Sequence, residues 1–324
     1  MSEASNAPTH EDRPDLHDRH PVSSVAFETL VLLLAAGQIA LCVAISRDWL
    51  WLAVPLVLVV AHLMHGLLIG FHEASHGLLR RRRWLNEFDG ILIGVFTLLP
   101  FTLYRVVHQT HHMHLGTERD EEFWPLVSPR VPRWARRIAA FLELNLGLIF
   151  SPLIFFRAFF RANSRIRSAK VRRRIWMELG VAAVLWTVIL STIAWFGAWK
   201  YFFWLYLAPA ALAANLQSWR KYIEHVGLTG DTVNSTTRSV VAESWFGRMI
   251  AFSLLHEPLH GIHHQHVGLP HSALPQYTSK LVPMKPGELA PFLSYRQALP
   301  ELIRSLSDPR VGPQWCDQLR SMKR

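Results

Sequence analysis

Eighteen of the 324 residues are histidine, and most stand in patterns that suit metal ligation. His72 and His76 are four apart in His-Glu-Ala-Ser-His-Gly. His108, His111 and His112 form His-x-x-His-His, with His114 close behind. His225 sits in Arg-Lys-Tyr-Ile-Glu-His-Val-Gly. His260, His263 and His264 repeat His-x-x-His-His, flanked by His256, His266 and His271. On a helix, residues three and four apart share a face, so each pattern aims its imidazoles at one or two nearby ions. Neutral imidazole suits iron, zinc or copper. Cys42 and Cys316 make neither a disulfide scaffold nor a thiolate cluster. The nine residues of the four boxes are too many for one tetrahedral zinc and suit two six-coordinate ions with positions left open.

The elements that must position these boxes are apolar. Half of the chain is hydrophobic and 18% is charged, below the roughly 25% of soluble domains, which disfavours a water-soluble domain and excludes disorder. Two runs, Val25–Ile45 and Trp49–Gly70, are separated by Ser46, Arg47 and Asp48. A second pair, Trp176–Gly197 and Tyr201–Leu216, is separated by Ala198, Trp199 and Lys200. Each run is near the ~20 residues that cross a bilayer as a helix, so two transmembrane hairpins are expected, with Trp and Tyr at their ends. Gly90–Tyr104 is short and holds Pro100. Ile138–Phe160 holds Glu143, Asn145, Pro152 and Arg157. Both read as helices lying in the interface or re-entering it. The polar, acidic residues 1–24 lack the basic start of a signal peptide.

The formal charge is +10, and its placement decides its meaning. Of the Lys and Arg, 18 lie between Gly77 and Ile175 and 12 from Ser218 onward, against single cations, Arg47 and Lys200, at the hairpin tips. The positive-inside rule puts both termini, the central segment and every histidine box in the cytoplasm. The basic excess therefore marks membrane orientation and anionic headgroups rather than nucleic acid, for which no module is visible. The expected architecture is an all-α integral membrane protein with four transmembrane helices in two hairpins, interfacial helices and a cytoplasmic histidine-rich cap. Its parts are a tail over 1–24, a membrane domain over 25–290 and a tail over 291–324.

The order His-x3-His, His-x-x-His-His, Glu-His, His-x-x-His-His resembles the membrane fatty acid desaturase and hydroxylase superfamily over roughly residues 25–290. The string Tyr222-Ile-Glu-His225-Val-Gly-Leu is also similar to a motif of integral-membrane alkane hydroxylases. The resemblance implies a non-haem di-iron enzyme that uses O2 and two external electrons on unactivated C–H bonds. The implied ligands are His72, His76, His108, His111, His112, His225, His260, His263 and His264. The expected activity is fatty acyl desaturation; hydroxylation or ketolation of an alkane, fatty acid or carotenoid is the alternative. The substrate would be a lipid or acyl thioester. The fused cytochrome b5 string His-Pro-Gly-Gly is not found, so a separate ferredoxin- or cytochrome b5-like donor with its reductase is expected. If the source is bacterial, the membrane would be the inner one.

Other readings compete. His72-Glu-Ala-Ser-His76 and His256-Glu-Pro-Leu-His260 both satisfy the His-Glu-x-x-His of zinc peptidases, with Asp89 as third ligand, although it follows His76 closely for a ligand from a separate helix. Glu73…His76 and Glu257…His260 fit a carboxylate-bridged di-iron bundle, which would need Glu28 and Glu178 as lone bridging carboxylates. A metal carrier or haem protein should show polar residues at mid-span, and spans three and four show almost none. Glu73, Glu224 and Glu257 are expected to orient histidine rings from outside the ligand set, with His114 and His256 as further candidates; His266 and His271 are outer partners or incidental. His62 and His65 share a helix stripe with His72 and His76, as buried polar residues or as lining of a substrate channel. His10, His17 and His20 read as surface groups. Glu118, Asp120, Glu121 and Glu122 read as a solvated acidic loop or as partners for Arg. Arg161–Arg174 reads as a membrane-surface face or a phosphate-holding patch.

Overall fold

The computed structural model describes residues 20–316; His10, His17, the rest of residues 1–19 and the end of the C-terminal tail lie outside the described residues. Among the described residues the chain is helical, with one isolated bridge between Val240 and Phe292. Helix α1 (Val25–Ser46) and helix α2 (Leu50–His76) form the first hairpin, and Asp48 turns between them with a left-handed φ of 53°. Gly77, with φ 79°, stops α2 directly behind His76. Its N–H and that of Leu78 bond back to the carbonyls of Ala74 and Glu73, closing the last turn.

Helix α3 (Arg83–Phe96) and helix α4 (Phe101–Met113) meet at 101°. Leu98, with φ 58°, turns the chain, and Pro100 starts the second arm. The short stretch Gly90–Tyr104 is therefore the elbow of a bent pair. The apolar run Ile138–Phe160 is not one helix but two, α5 (Arg133–Asn145) and α6 (Gly147–Phe160), broken at Leu146. The break lets Gly147 press onto the helix that carries Ala214, where a Cβ would come within 2.7 Å of the Ala214 carbonyl oxygen.

Helix α7 (Ala169–Trp195) buries only Ile175 and Glu178. The next rod begins as α8 (Trp199–Phe202), passes through a π-helical segment (Phe203–Leu207) and ends as α9 (Ala208–His225). Pro209 explains the wide turn: it has no N–H to donate and its ring would meet the carbonyl four residues back. That carbonyl, of Leu205, instead accepts from Gln38 Nε2 of α1 at 2.9 Å. Lys200 Nζ lies 2.5 Å from Asp48 Oδ1, joining the two hairpin tips.

Short helices α10 (Val233–Thr236), α11 (Trp245–Ser253) and α12 (His260–Gln265) follow, then a 3-10 turn (Leu274–Leu281) and α13 (Tyr295–Ser305). α11 exposes Trp245, Phe246 and Met249 on one apolar face. α1, α2 and α7 are long and apolar enough to cross a membrane, and α3 with α4 adds a fourth if the bent pair is one span. The expected fourth span, Tyr201–Leu216, lies in the rod that the π segment interrupts. α2 is the centre of the assembly, packed against α1, α3, α4 and α9.

Candidate metal centre

Four elements deliver the nine boxed histidines to one place. α2 ends on His72 and His76, α4 carries His108, His111 and His112, α9 ends on His225, and α12 carries His260, His263 and His264. His72, His76, His108, His112 and His263 bring one ring nitrogen each to within 4.8 Å of one another. His111, His225 and His264 do the same beside them, and His260 joins this second group through Nε2 contacts to His225 (2.7 Å) and His264 (3.0 Å). The result is a five-imidazole group next to a four-imidazole group.

The outward ring nitrogens show what the inward ones are. His108 Nδ1 lies 2.9 Å from Glu122 Oε2 and His111 Nδ1 lies 2.8 Å from Asp120 Oδ2. His225 Nδ1 is 3.1 Å from the Thr236 carbonyl and His260 Nδ1 is 2.9 Å from Glu257 Oε1. These oxygens accept, so each Nδ1 carries the hydrogen and each ring in its neutral form turns a bare Nε2 lone pair inward. His225 and His260 thus oppose two lone pairs across 2.7 Å, an arrangement that a cation between them satisfies. In the five-imidazole group the Nε2 pairs His76–His108, His108–His112 and His112–His263 are 3.1, 3.0 and 3.1 Å apart. Ligands about 2.1 Å from one ion sit about 3.0 Å apart at right angles and about 3.4 Å apart in a tetrahedron. The donor set and its spacing fit two ions of higher coordination number.

Carboxylates surround the two groups. Glu73, Asp120, Glu122, Glu224 and Glu257 are buried, as is Arg220, which donates to both oxygens of Glu224 (2.7 and 2.6 Å) and lies 3.3 Å from Glu257. Burial raises the Glu257 carboxyl above its ordinary range, and the Arg220 guanidinium opposes that shift. Glu73 Oε1 and Glu257 Oε2 stand 3.4 and 3.5 Å from His72 Nδ1.

Of the two readings of the acidic stretch after the second box, the solvated loop holds only for Glu118 and partnership with Arg holds for Glu121. Gly116, with φ 67°, reverses the chain, and Asp120 and Glu122 fold back as buried partners of His111 and His108. Glu118 alone stays exposed, whereas Glu121 pairs with Arg157 and Arg161. The signal available in the sequence was three consecutive acids within reach of a His-x-x-His-His box.

Other candidates fall elsewhere. His256 does not face the nine rings but lies beside His271, with ring centroids 6.3 Å apart. Burial pushes His271 down to about 4, so it is a neutral ring whose Nε2–H donates to the Ser23 carbonyl at 3.1 Å. His114 closes the end of α4 through its backbone N–H. His20 contacts the Tyr277 hydroxyl at 2.9 Å, and His266 packs on the same ring.

An apolar cavity of about 510 Å³ lies between α1, α2, α3, α6 and α9, and none of the nine boxed histidines lines it. Val31, Leu34, Leu67, Phe71, Phe155 and Ala213 are among its walls. Tyr104, Glu122, Gln217 and Lys221 belong both to this cavity and to the gap between the two groups. His62 and His65 are not on its lining: His62 bonds Ser253 Oγ at 2.8 Å, and His65 is buried on the α2 stripe.

The rival arrangements lose their residues. Leu255 and His256 both have left-handed φ, 47° and 55°, so His256-Glu-Pro-Leu-His260 is not a helical turn and its histidines do not share a face. Asp89, the third ligand of a peptidase-like site, pairs with Arg80 at 2.6 Å. Glu28 pairs with Arg80 and Ser24. Glu178 accepts from Thr102 at 2.8 and 2.6 Å. Neither bridges metals.

Residues 49–296 match the family model for fatty acid desaturases. The chain is 28% identical over 144 residues to an sn-1 acyl-lipid omega-3 desaturase (ferredoxin) of Synechocystis sp., covering 44% of this chain and 39% of that protein. It is 27% identical over 132 residues to a probable fatty acid desaturase of Sorghum bicolor (38% and 33%) and 29% identical over 138 residues to a Delta(12) fatty acid desaturase of Calendula officinalis (36% and 35%). The matched segments span about two fifths or less of each relative. Taken with the apolar helices and the nine converging imidazoles, the family match gives a plain conclusion: this integral membrane chain belongs to the fatty acid desaturase family.

Proposed function

We propose that the protein is an O2-dependent oxidoreductase that holds two iron ions in its histidine groups and desaturates the acyl chain of a lipid. One observation carries the reading: an apolar cavity of about 510 Å³ shares Tyr104, Glu122, Gln217 and Lys221 with the gap between two histidine groups. A flexible hydrocarbon gains about 0.8 kcal/mol per buried CH2 from such walls, and needs them to hold one carbon beside the reacting centre. His72, His76, His108, His112 and His263 would hold one iron, and His111, His225, His260 and His264 the other. Iron held there supplies the O2 and redox chemistry that takes hydrogen from an unactivated C–H bond.

The chain's own residues do the rest. Glu122, Asp120, Glu257 and the Thr236 carbonyl fix the rings they touch in the tautomer that offers Nε2. Tyr104 stacks parallel on His108 with centroids 5.3 Å apart, a flat apolar surface where the cavity meets the ligands. Lys221 is paired beside that point with Glu143, which also accepts from the Tyr222 hydroxyl at 2.9 Å. The Synechocystis relative's printed name specifies an acyl-lipid and ferredoxin. An acyl-lipid substrate and a separate ferredoxin- or cytochrome b5-like donor are the corresponding proposals here. The orientation proposed is four spans in two hairpins, with the joined tips Asp48 and Lys200 outside and the histidines and both termini cytoplasmic.

Two measurements test this reading. Metal analysis of the purified protein should find iron at close to two per chain; stoichiometric zinc without iron sinks it. Lipid mass spectrometry of a host with and without expression, donor supplied, should show acyl chains that have lost two hydrogens. A gain of one oxygen would instead make the protein a hydroxylase.

A further inference from the structure

Glu121 sits between the two carboxylates that hold metal-group histidines, yet it touches neither histidine. It is buried, and burying a carboxylate is costly unless it is paired. Its partners come from the end of α6 and the residue beyond: Arg157 Nη1 donates to Oε2 at 3.1 Å, and Arg161 pairs with Oε1. The Arg157 guanidinium also lies 3.6 Å over the Trp124 ring, so α6 grips residues 121–124 at two points. On its other turns α6 gives Leu148, Ser151, Pro152 and Phe155 to the cavity wall. On the loop, Asp120 holds His111 of the four-imidazole group and Glu122 holds His108 of the five-imidazole group.

We propose that Glu121, held by Arg157 and Arg161, is a positioning residue that ties the wall of the apolar cavity to one imidazole of each metal group. A chain that fills the cavity moves or braces α6. The ion pairs pass that change to the acidic loop, and the loop passes it to His108 and His111 together. Both groups are thereby set by one event, the arrival of the chain. This rests on the proposed function for the identity of the chain and the metal.

The test uses the full-length protein with iron, kept anaerobic so that no reaction occurs. Glu121→Gln and Arg157→Gln should each release iron to a chelator about tenfold faster than the wild type, the lower end of losses seen when a ligand's outer partner is removed. The double variant should lose clearly less than the two single effects combined, because both cut the Arg157–Glu121 pair, and Arg157→Lys should recover part of the retention. Near-infrared circular dichroism of the ferrous protein reports ligand geometry. Adding stearate should shift those bands in the wild type and not in the glutamine variants, although equilibrium dialysis shows stearate still bound. Additive losses in the double variant overturn the proposal, as does a glutamine variant whose bands still respond, or a wild type whose bands ignore stearate. If the glutamine variants do not fold, Arg157→Lys carries the same two readouts at reduced amplitude. A wild type that passes these tests but leaves host lipids unchanged refutes the proposed function and leaves the link standing.

Discussion

The two histidine groups are built by different means. The five-imidazole group draws four of its rings from i, i+4 pairs, His72 with His76 on α2 and His108 with His112 on α4. Only His108 there has a carboxylate at hydrogen-bond distance; His112 Nδ1 and His263 Nδ1 have no protein partner among the described residues, and His72 Nδ1 is 3.4 Å from its nearest acid. The four-imidazole group has one such pair, His260 with His264 on the short α12, joined by His111 of α4 and His225 of α9, and three of the four rings are pinned by Asp120, the Thr236 carbonyl and Glu257. Helix geometry aims the first group, and hydrogen bonds aim the second. A rigid helix supplies orientation without outer partners, whereas rings gathered from separate segments need them.

The strongest test of that contrast removes ligands. His225→Ala leaves three imidazoles in its group and should abolish oxidation and halve the iron content. His263→Ala leaves four in the other, so oxidation should also be lost while iron falls by less. Metal analysis with a desaturation assay reads both, and complete iron loss in both variants would break the idea that the groups are separable. Next in size is removal of an outer acid. Glu257→Gln, which loosens His260, should cost about 10- to 100-fold in iron affinity. Glu73→Gln, beyond hydrogen-bond reach of His72, should cost far less. Chelator competition measures the difference, and equal losses would mean that both groups depend on their acids alike.

The same contrast explains how much was legible in the sequence. Eight of the nine boxed histidines could be picked out because spacing on a helix is geometry, whereas His225, alone in its box, was marked by the family resemblance; the apolar runs located α1, α2 and α7, with α2 running six residues further to His76 and α7 starting seven residues early at Ala169. The outer partners were not legible. Asp120 and Glu122 read as surface acids because nothing in their types announces the reversal at Gly116 that buries them. His256 looked like half of a helical pair, but left-handed φ at Leu255 and His256 delays the helix until His260. Glu143, Asn145, Pro152 and Arg157 marked the run that Leu146 divides as no plain span without locating the break, whereas Pro209 accounts for the π segment in the last rod. His62 and His65 share the α2 stripe with the ligands, yet the cavity lies along other faces. Periodicity reports which residues share a face, and not what packs against it.

The smallest effect tests the helix-built group without touching any ligand. Gly77 ends α2 one residue after His76 with φ 79°, and a Cβ there would meet nothing within 4 Å. Gly77→Ala therefore carries only the backbone cost of a left-handed L-residue, roughly 1–2 kcal/mol. Thermal unfolding should fall by a few degrees, about 2–4 °C per kcal/mol for a protein of this general size. If α2 aims the five-imidazole group through its rigid end, relaxing that end should quicken iron loss from that group and leave the hydrogen-bonded group alone. Release kinetics would then change from one phase to two. A drop in melting temperature with a single unaltered release phase would show that the end of α2 supports the fold but does not aim His76.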